Sequence, residues 1–291
     1  MNVIVFGGSG FLGSHVADAL SEAGYHVKIF DIVPSPYLRS DQEMIVGNIQ
    51  DSNLVHESIK DCDLVYNYSG IADIDDADKK PIDSVLLNIY ANTIVLEACL
   101  REKCKRFIYA STVYVYSKNG GFYRCSKQSA ELFIEEYQRK HNLDYTILRY
   151  GTLYGPRSDE RNSVYRYIYQ ALTDGKIIAS GDKKASREYI YVKDAAKLSV
   201  DILDKSYCNT HVTITGQHPI RYHDLLSMIN EMMNDTIEIV NVSKDGSTVH
   251  YSLTPYSYVP KVGYKLTSNK YTDLGQGLLE SIAEIHGNLL K

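Results

Sequence analysis

The 291-residue sequence predicts an α/β protein, a doubly wound parallel sheet with a smaller C-terminal α/β substrate lobe. Three observations predict it. Short apolar runs of strand length alternate with amphipathic stretches of helix length through residue 150. The first run ends in a glycine cluster, Gly7, Gly8, Gly10 and Gly13. The second run closes on an acid, Asp31.

Taken in order, "NVIVFGG" is a buried strand running into glycines. "FLGSHVADALSEAG" carries Leu12, Val16, Ala19, Leu20 and Ala23 at helical spacing, with Gly24 where a helix stops. "HVKIFD" is the second strand, followed by a looser stretch. "NLVHESIKD" reads as a helix and "CDLVYNYSG" as a strand. "DSVLLNIYANTIVLEACLREK" is a long helix with apolar positions every three to four residues, then "RFIYAST" is a strand. "SKQSAELFIEEYQRKH" is a helix and "DYTILRYG" a strand. Beyond Gly151 the order loosens: "NSVYRYIYQALTDG" is helical, "REYIYVKDAAKLSVDIL" a strand turning into a helix, "HVTITG" a strand. "RYHDLLSMINEMMN" is a helix and "IEIVNV" a last strand. The expected division is a dinucleotide-binding part over 1–155, to which parts of 185–215 return, and a mainly substrate-binding lobe over 156–291. The site belongs in the crevice above the carboxyl ends of the strands.

Composition narrows the function classes. With 31 basic and 36 acidic residues the net charge is −5, and no long basic block offers a nucleic-acid face. No uninterrupted apolar run has membrane-spanning length, and the opening "MNVIVFGG" lacks the basic start and cleavage site of a signal peptide. The expected location is cytoplasmic, with the odd set of five cysteines reduced. No metal site is expected, because neither cysteines nor histidines stand at ligand spacing. "ADIDDADKK" mimics a calcium loop but has Ala77 at the fifth position and no glycine, so it reads as a solvated acidic loop.

"VFGGSGFLGSH" meets two glycine spacings at once: Gly8, Gly10 and Gly13 form G-x-G-x-x-G, and Gly7, Gly10 and Gly13 form G-x-x-G-x-x-G. The chain must turn sharply off the strand, let its backbone approach a pyrophosphate, and pack its helix tightly on the sheet. The helix N-terminus then presents free N–H groups and a positive dipole to the phosphates. Asp31 follows Gly13 by eighteen residues, where a carboxylate accepts both ribose hydroxyls and repels a 2′-phosphate. The cofactor expected is therefore NAD rather than NADP.

The loop "GGSGFLG", the strand end "STVY", the pair in "YRCSK", "LRYGTLYGPR" and "REYIYVKDAA" together resemble the extended short-chain dehydrogenase/reductases, within them the nucleotide-sugar epimerases and reductases. The likeness covers residues 1 to 200 well and the remainder loosely. A lone Y-x-x-x-K in a chain with 25 tyrosines signifies nothing, but this one stands in an ordered set. The resemblance implies a Rossmann fold and a catalytic group of Thr112, Tyr123 and Lys127, with Ser111 the neighbouring alternative to Thr112. It implies cofactor contacts from Gly7, Gly10, Phe11, Leu12 and Gly13, and from Asp31, Asn48 and Ile49. Tyr68, Ser69, Gly70, Asn88, Lys127 and Tyr150 complete that set. At Asn48 the family's acid has become an amide. For the substrate it implies Thr112, Tyr123, Thr152 and Arg187. Residue types suit the chemistry: a nearby ammonium and the positive nicotinamide favour the phenolate of Tyr123, which then removes a hydroxyl proton as hydride leaves the same carbon.

Three features depart from the family. Only ten residues separate Thr112 from Tyr123, where relatives carry a longer loop bordering the substrate. Val113 and Tyr114 follow Thr112 in place of the acid and base of the 4,6-dehydratases. Thr152 stands where epimerases often have asparagine. The tail over 250–265 has no assigned role. The activity expected is NAD-dependent epimerisation of a nucleotide-diphosphate sugar by a homodimer. The alternatives are reduction of a nucleotide-linked 4-keto sugar and a non-catalytic NAD-binding regulatory protein.

Overall fold

The structure is a computed structural model that describes residues 1–179, 185–241 and 253–255. The tail over 250–265 lies outside them except for 253–255. The main sheet comprises β1 (Asn2–Phe6), β2 (His26–Asp31), β3 (Gln42–Val46), β4 (Leu64–Asn67), β5 (Arg106–Thr112), β6 (Tyr145–Tyr150) and, returning late in the chain, β10 (Thr210–Ile214). Its order is β10-β6-β5-β4-β1-β2-β3, with every pair parallel. The order reverses between β1 and β4, and such a switch point opens the crevice where dinucleotides bind.

Helices cover both faces. On one lie α2 (Ser52–Ile59), α5 (Ala91–Glu102) and α6 (Gly121–His141), and on the other α1 (Phe11–Glu22) and α8 (Val192–Asp201). β1 shows why the strands read as continuous apolar runs: Ile4 and Phe6 enter the first core, Val3 and Val5 the second. A third, smaller core joins α7 (Ser163–Asp174), β8 (Lys176–Ala179), α9 (Tyr222–Met232) and β12 (Glu238–Asn241), around Ala171, Ile177, Leu226 and Ile229. β7 (Thr152–Tyr154), β9 (Ser186–Tyr191) and β11 (Pro219–Arg221) form a three-stranded sheet.

Three local expectations change. The acidic stretch after Gly70 is not a solvated loop but holds a helix, α3 (Ile74–Lys79), capped by Asp73, whose carboxylate accepts the N–H of Asp76 at 2.9 Å. Ile74 and Ala77 fall one turn apart and bury against Tyr123. The looser stretch after β2 contains β3, whose half-buried edge position gives no clear apolar alternation. α6 begins at Gly121, five residues before the apolar periodicity suggests, because left-handed Gly120 turns the chain directly into it. The long helix expected next is present: α4 (Pro81–Val85), a π-helical turn over Leu86–Tyr90 and α5 run on as one helix. That run, Pro81–Glu102, is long and apolar enough to cross a membrane by length and composition. One face of it packs into the protein, where Asn88 and Asn92 are buried and hydrogen-bonded to Ser126 and Asn67.

Candidate active site

Five strand ends carry the predicted residues to one edge of the sheet. β1 leads into Gly7, β2 ends on Asp31, β4 leads into Tyr68, β5 ends on Thr112 and β6 on Tyr150. At the first, Gly7 takes φ +75 and donates its N–H to Phe30 O at 2.8 Å. A Cβ on Gly13 would stand 2.2 Å from Gly7 O, and one on Gly7 would stand 2.6 Å from Ser69 N. Both glycines are therefore required by close backbone approach. α1 starts at Phe11 behind Gly10 with no side-chain cap, so its first-turn N–H groups stay available to an anion. Asp31 accepts the N–H groups of Ser9 at 3.0 Å and Ile32 at 2.7 Å. Two donors on a carboxylate leave lone pairs for ribose hydroxyls. These features fit a dinucleotide. Asn48 is exposed and accepts Gln50 N–H at 2.9 Å, so the amide keeps the turn an acid would make, while Ile49 is buried.

Across the switch point, Asn67 accepts both the N–H and the hydroxyl of Ser69, at 3.1 and 2.5 Å. Gly70 takes φ +118, and a Cβ there would meet Asn88 Oδ1 at 2.1 Å. Asn88, buried in the π-helical turn, accepts Ile71 N–H at 2.8 Å and donates to Ile71 O at 3.0 Å and Ser126 Oγ at 2.8 Å. It thereby ties the segment after β4 to α6, one turn from Tyr123. Such π-turns recur at functional sites. Tyr68 and Tyr150 face each other, hydroxyl to hydroxyl at 2.9 Å, and Tyr150 continues to Ser199 Oγ at 2.6 Å. Burial pushes the Tyr68 phenol up to about 12 and raises that of Tyr150, so neither serves as a base near neutral pH.

At the end of β5 the strand alternation separates the two hydroxyls. Ser111 donates to buried Glu131 Oε1 at 2.5 Å, whereas Thr112 Oγ1 accepts Tyr114 N–H at 3.3 Å. Tyr123, Lys127 and Glu131 follow at successive turns on one face of α6, and all three are buried. Lys127 Nζ donates to Ala110 O at 2.8 Å and lies 4.7 Å from the Tyr109 ring centroid. Burial pushes its ammonium down to about 8, and the Glu131 carboxylate pushes the other way. Thr152 in β7 pairs with Tyr189 of β9, two residues beyond Arg187, so these two of the four predicted substrate residues share the three-stranded sheet.

The sequence reading missed the support behind this group. Glu131 and Arg149 form a buried bidentate pair at 2.6 and 3.0 Å, and Arg149 also reaches Tyr116 Oη at 2.5 Å. Its only sequence signal is the acid one turn after Lys127. Arg157 pairs with Asp18 at 2.7 Å and lies over the Tyr37 ring. Among the described residues no cluster of three His, Cys, Asp or Glu could hold a metal.

A doubly wound parallel sheet, an uncapped glycine turn facing a ribose-type carboxylate, and a Thr, Tyr and Lys beside it define an extended short-chain dehydrogenase/reductase. Residues 3–214 match the model of the NAD dependent epimerase/dehydratase family, and the chain belongs to that family. It is 25% identical to a UDP-N-acetyl-alpha-D-glucosaminuronate decarboxylase of Bacillus cytotoxicus, over 98% of this chain and 92% of that protein. The fold is similar to the UDP-glucose 4-epimerase of Thermotoga maritima solved with UDP-glucose, with TM-score 0.80, 26% identity, and 89% and 90% of the two chains covered. It is also similar to the UDP-glucuronic acid 4-epimerase of Bacillus cereus solved with UDP-glucuronic acid and NAD, with TM-score 0.79, 25% identity, and 90% and 95% covered.

Proposed function

We propose that the chain is an NAD-dependent epimerase of a nucleotide-linked sugar, with a UDP-sugar as the first candidate because the similar solved structures act on UDP-sugars. The observation that carries this reading is the edge itself: the glycine turn, Asp31, Thr112 and the Tyr123–Lys127 face of α6 converge on the switch point of one parallel sheet. Gly7, Gly10, Phe11, Leu12 and Gly13 would hold the pyrophosphate, Asp31 the ribose, and Asn48 with Ile49 the adenine. Tyr68, Ser69, Gly70, Asn88, Tyr150 and Lys127 would border the nicotinamide half. Bound NAD supplies a place for hydride to go and to return from.

The chain's own residues do the rest. Thr112 Oγ1 already accepts a backbone N–H, so its own proton is directed elsewhere, to a sugar oxygen. Tyr123 takes the hydroxyl proton as general base and gives it back after the keto sugar has turned. Lys127 is an ammonium below about 8 and stabilises the phenolate it stands beside. Arg187 and Thr152 receive the diphosphate and the sugar from the three-stranded sheet. Val113 and Tyr114 supply no acid–base pair next to Thr112, which disfavours dehydration.

The 81–102 helix and α6 present Ile82, Val85, Tyr90, Phe122, Leu132 and Phe133 to solvent, which supports a homodimer pairing these helices. The free cysteines Cys62, Cys99 and Cys104 are buried, as suits a reducing, cytoplasmic setting. The division into a cofactor part over 1–155 with 185–215 and a lobe over 156–291 is supported by β10 joining the main sheet and by the separate small core of α7 and α9. The test is purification followed by denaturation: NAD is released, and Tyr123→Phe keeps the NAD while losing turnover by about 10²- to 10⁴-fold. Protein that arrives empty and consumes NADPH with a keto sugar overturns the proposal, as does a Tyr123→Phe variant within about tenfold of wild type.

A further inference from the structure

The short connection from Thr112 to Tyr123 contains a residue fixed against both. A 3₁₀ turn over Val113–Tyr116 and two left-handed glycines, Gly120 at φ +95 and Gly121 at φ +47, close it. Tyr114 is held from several sides within this connection. Its N–H donates to Thr112 Oγ1 at 3.3 Å, and its carbonyl accepts Ser117 N–H at 2.8 Å. Its ring lies on the backbone of Gly120, where a Cβ would come within 2.8 Å of Tyr114 Cδ1. The ring stands edge-on to that of Tyr123, with centroids 6.3 Å apart and planes at 72°. Ile71, Ile74 and Ala77 complete this cluster around Tyr123. Tyr114 is nonetheless partly exposed.

We propose that Tyr114 is a positioning and specificity-determining residue: its ring fixes the Tyr123 ring and walls the sugar side of the site, in place of a longer loop. The sugar part of this claim rests on the epimerase reading. In the epimerase reading Thr112 and Tyr123 are the two hydroxyls that act on the sugar, and Tyr114 contacts both, one through its backbone and one through its ring. The glycine at 120 leaves room for the ring, and only ten residues connect Thr112 to Tyr123. Removing the ring frees Tyr123 to turn and opens space for a bulkier sugar substituent.

The experiment compares wild type, Tyr114→Phe and Tyr114→Ala, each loaded with NAD, on UDP-glucose and UDP-N-acetylglucosamine. An edge-to-face aromatic pair carries up to about a tenfold effect, so Tyr114→Ala should lower kcat on UDP-glucose by about that factor. The ratio of the two kcat/KM values should move toward the N-acetyl sugar by about tenfold, as expected for a pocket contact. Tyr114→Phe, which keeps the ring, restores both. The ratio does not depend on how much protein is folded, so loss of stability alone leaves it unmoved. A Tyr114→Ala variant with both the ratio and kcat within about twofold of wild type overturns the proposal. A second readout needs no sugar: the phenolate difference absorbance of Tyr123, taken against Tyr123→Phe in each background, titrates at a shifted pH in Tyr114→Ala and at the wild-type pH in Tyr114→Phe. An unmoved midpoint in Tyr114→Ala overturns the positioning role. Should wild type turn over neither sugar, the epimerase reading falls while this titration still decides whether Tyr114 governs Tyr123.

Discussion

Replacing Lys127 by methionine should stabilise the cofactor-free protein at neutral pH while removing its activity. Lys127 is 4% exposed, and burial lowers its pKa from 10.5 to about 8. At 1.36 kcal/mol per unit, holding the ammonium inside costs about 3 kcal/mol. Burial and the opposing Glu131 carboxylate set that balance. Below the folded pKa the lysine is charged in both states, and the whole cost is present. Between about 8 and 10.5 the unfolded chain binds the proton that the folded one has lost, so stability rises with pH. Above that window neither state is charged, and the cost is gone. Wild-type unfolding free energy in urea, measured without NAD from neutral to alkaline pH, should therefore rise relative to Lys127→Met by up to about 3 kcal/mol. The subtraction cancels every other titrating group. At neutral pH the variant should lie about 1–3 kcal/mol above wild type, since methionine fills the space with no buried charge to solvate. A variant less stable than wild type at neutral pH, or a difference that stays flat across the window, would refute the reasoning.

Gly13→Ala should leave purified protein without NAD, because the added Cβ falls 2.2 Å from Gly7 O; ultrafiltration showing full NAD occupancy would contradict the loop geometry. Glu131→Ala should cost about 3–5 kcal/mol in urea unfolding, since it leaves the Arg149 charge buried and unpaired, and a loss under about 1 kcal/mol would show that the pair is not closed in solution. Asp31→Ala should weaken NAD and narrow its preference over NADP by about tenfold or more, as loss of a charged hydrogen-bond acceptor does; competitive titration giving an unchanged preference would remove Asp31 from the ribose site. Enzyme activity should fall on the alkaline side with a midpoint near 8 before cofactor saturation, following the Lys127 ammonium, and a rate that is flat from neutral to pH 10 would contradict that role.

Much of this was legible in the sequence because the main sheet is buried on both faces. Its strands then read as apolar runs bounded by glycine or by the polar residues of the site, as β1 and β5 do. β3 escaped for the opposite reason: at the sheet edge polar Gln42 is its buried residue and apolar Val46 is exposed, so the burial leaves no apolar alternation. α3 escaped because three aspartates outweigh two small apolar residues in any count, although Ile74 and Ala77 alone decide where it packs. The choice between Ser111 and Thr112 needed the strand register, which sends one hydroxyl to Glu131 and leaves the other at the sheet edge. Glu131 and Arg149 look like solvent-facing charges in sequence. Only the pairing of α6 with β6 shows that each exists in the interior because of the other.

An NAD-dependent epimerase removes a hydride from a nucleotide-linked sugar and returns it to the other face without releasing it. UDP-glucose, UDP-N-acetylglucosamine and UDP-glucuronic acid carrying deuterium at C4 test it directly by proton NMR, with purified protein and no added cofactor. At least one of them should convert to its 4-epimer with the deuterium retained. No conversion of any of the three, or conversion with the label lost to solvent, would contradict it.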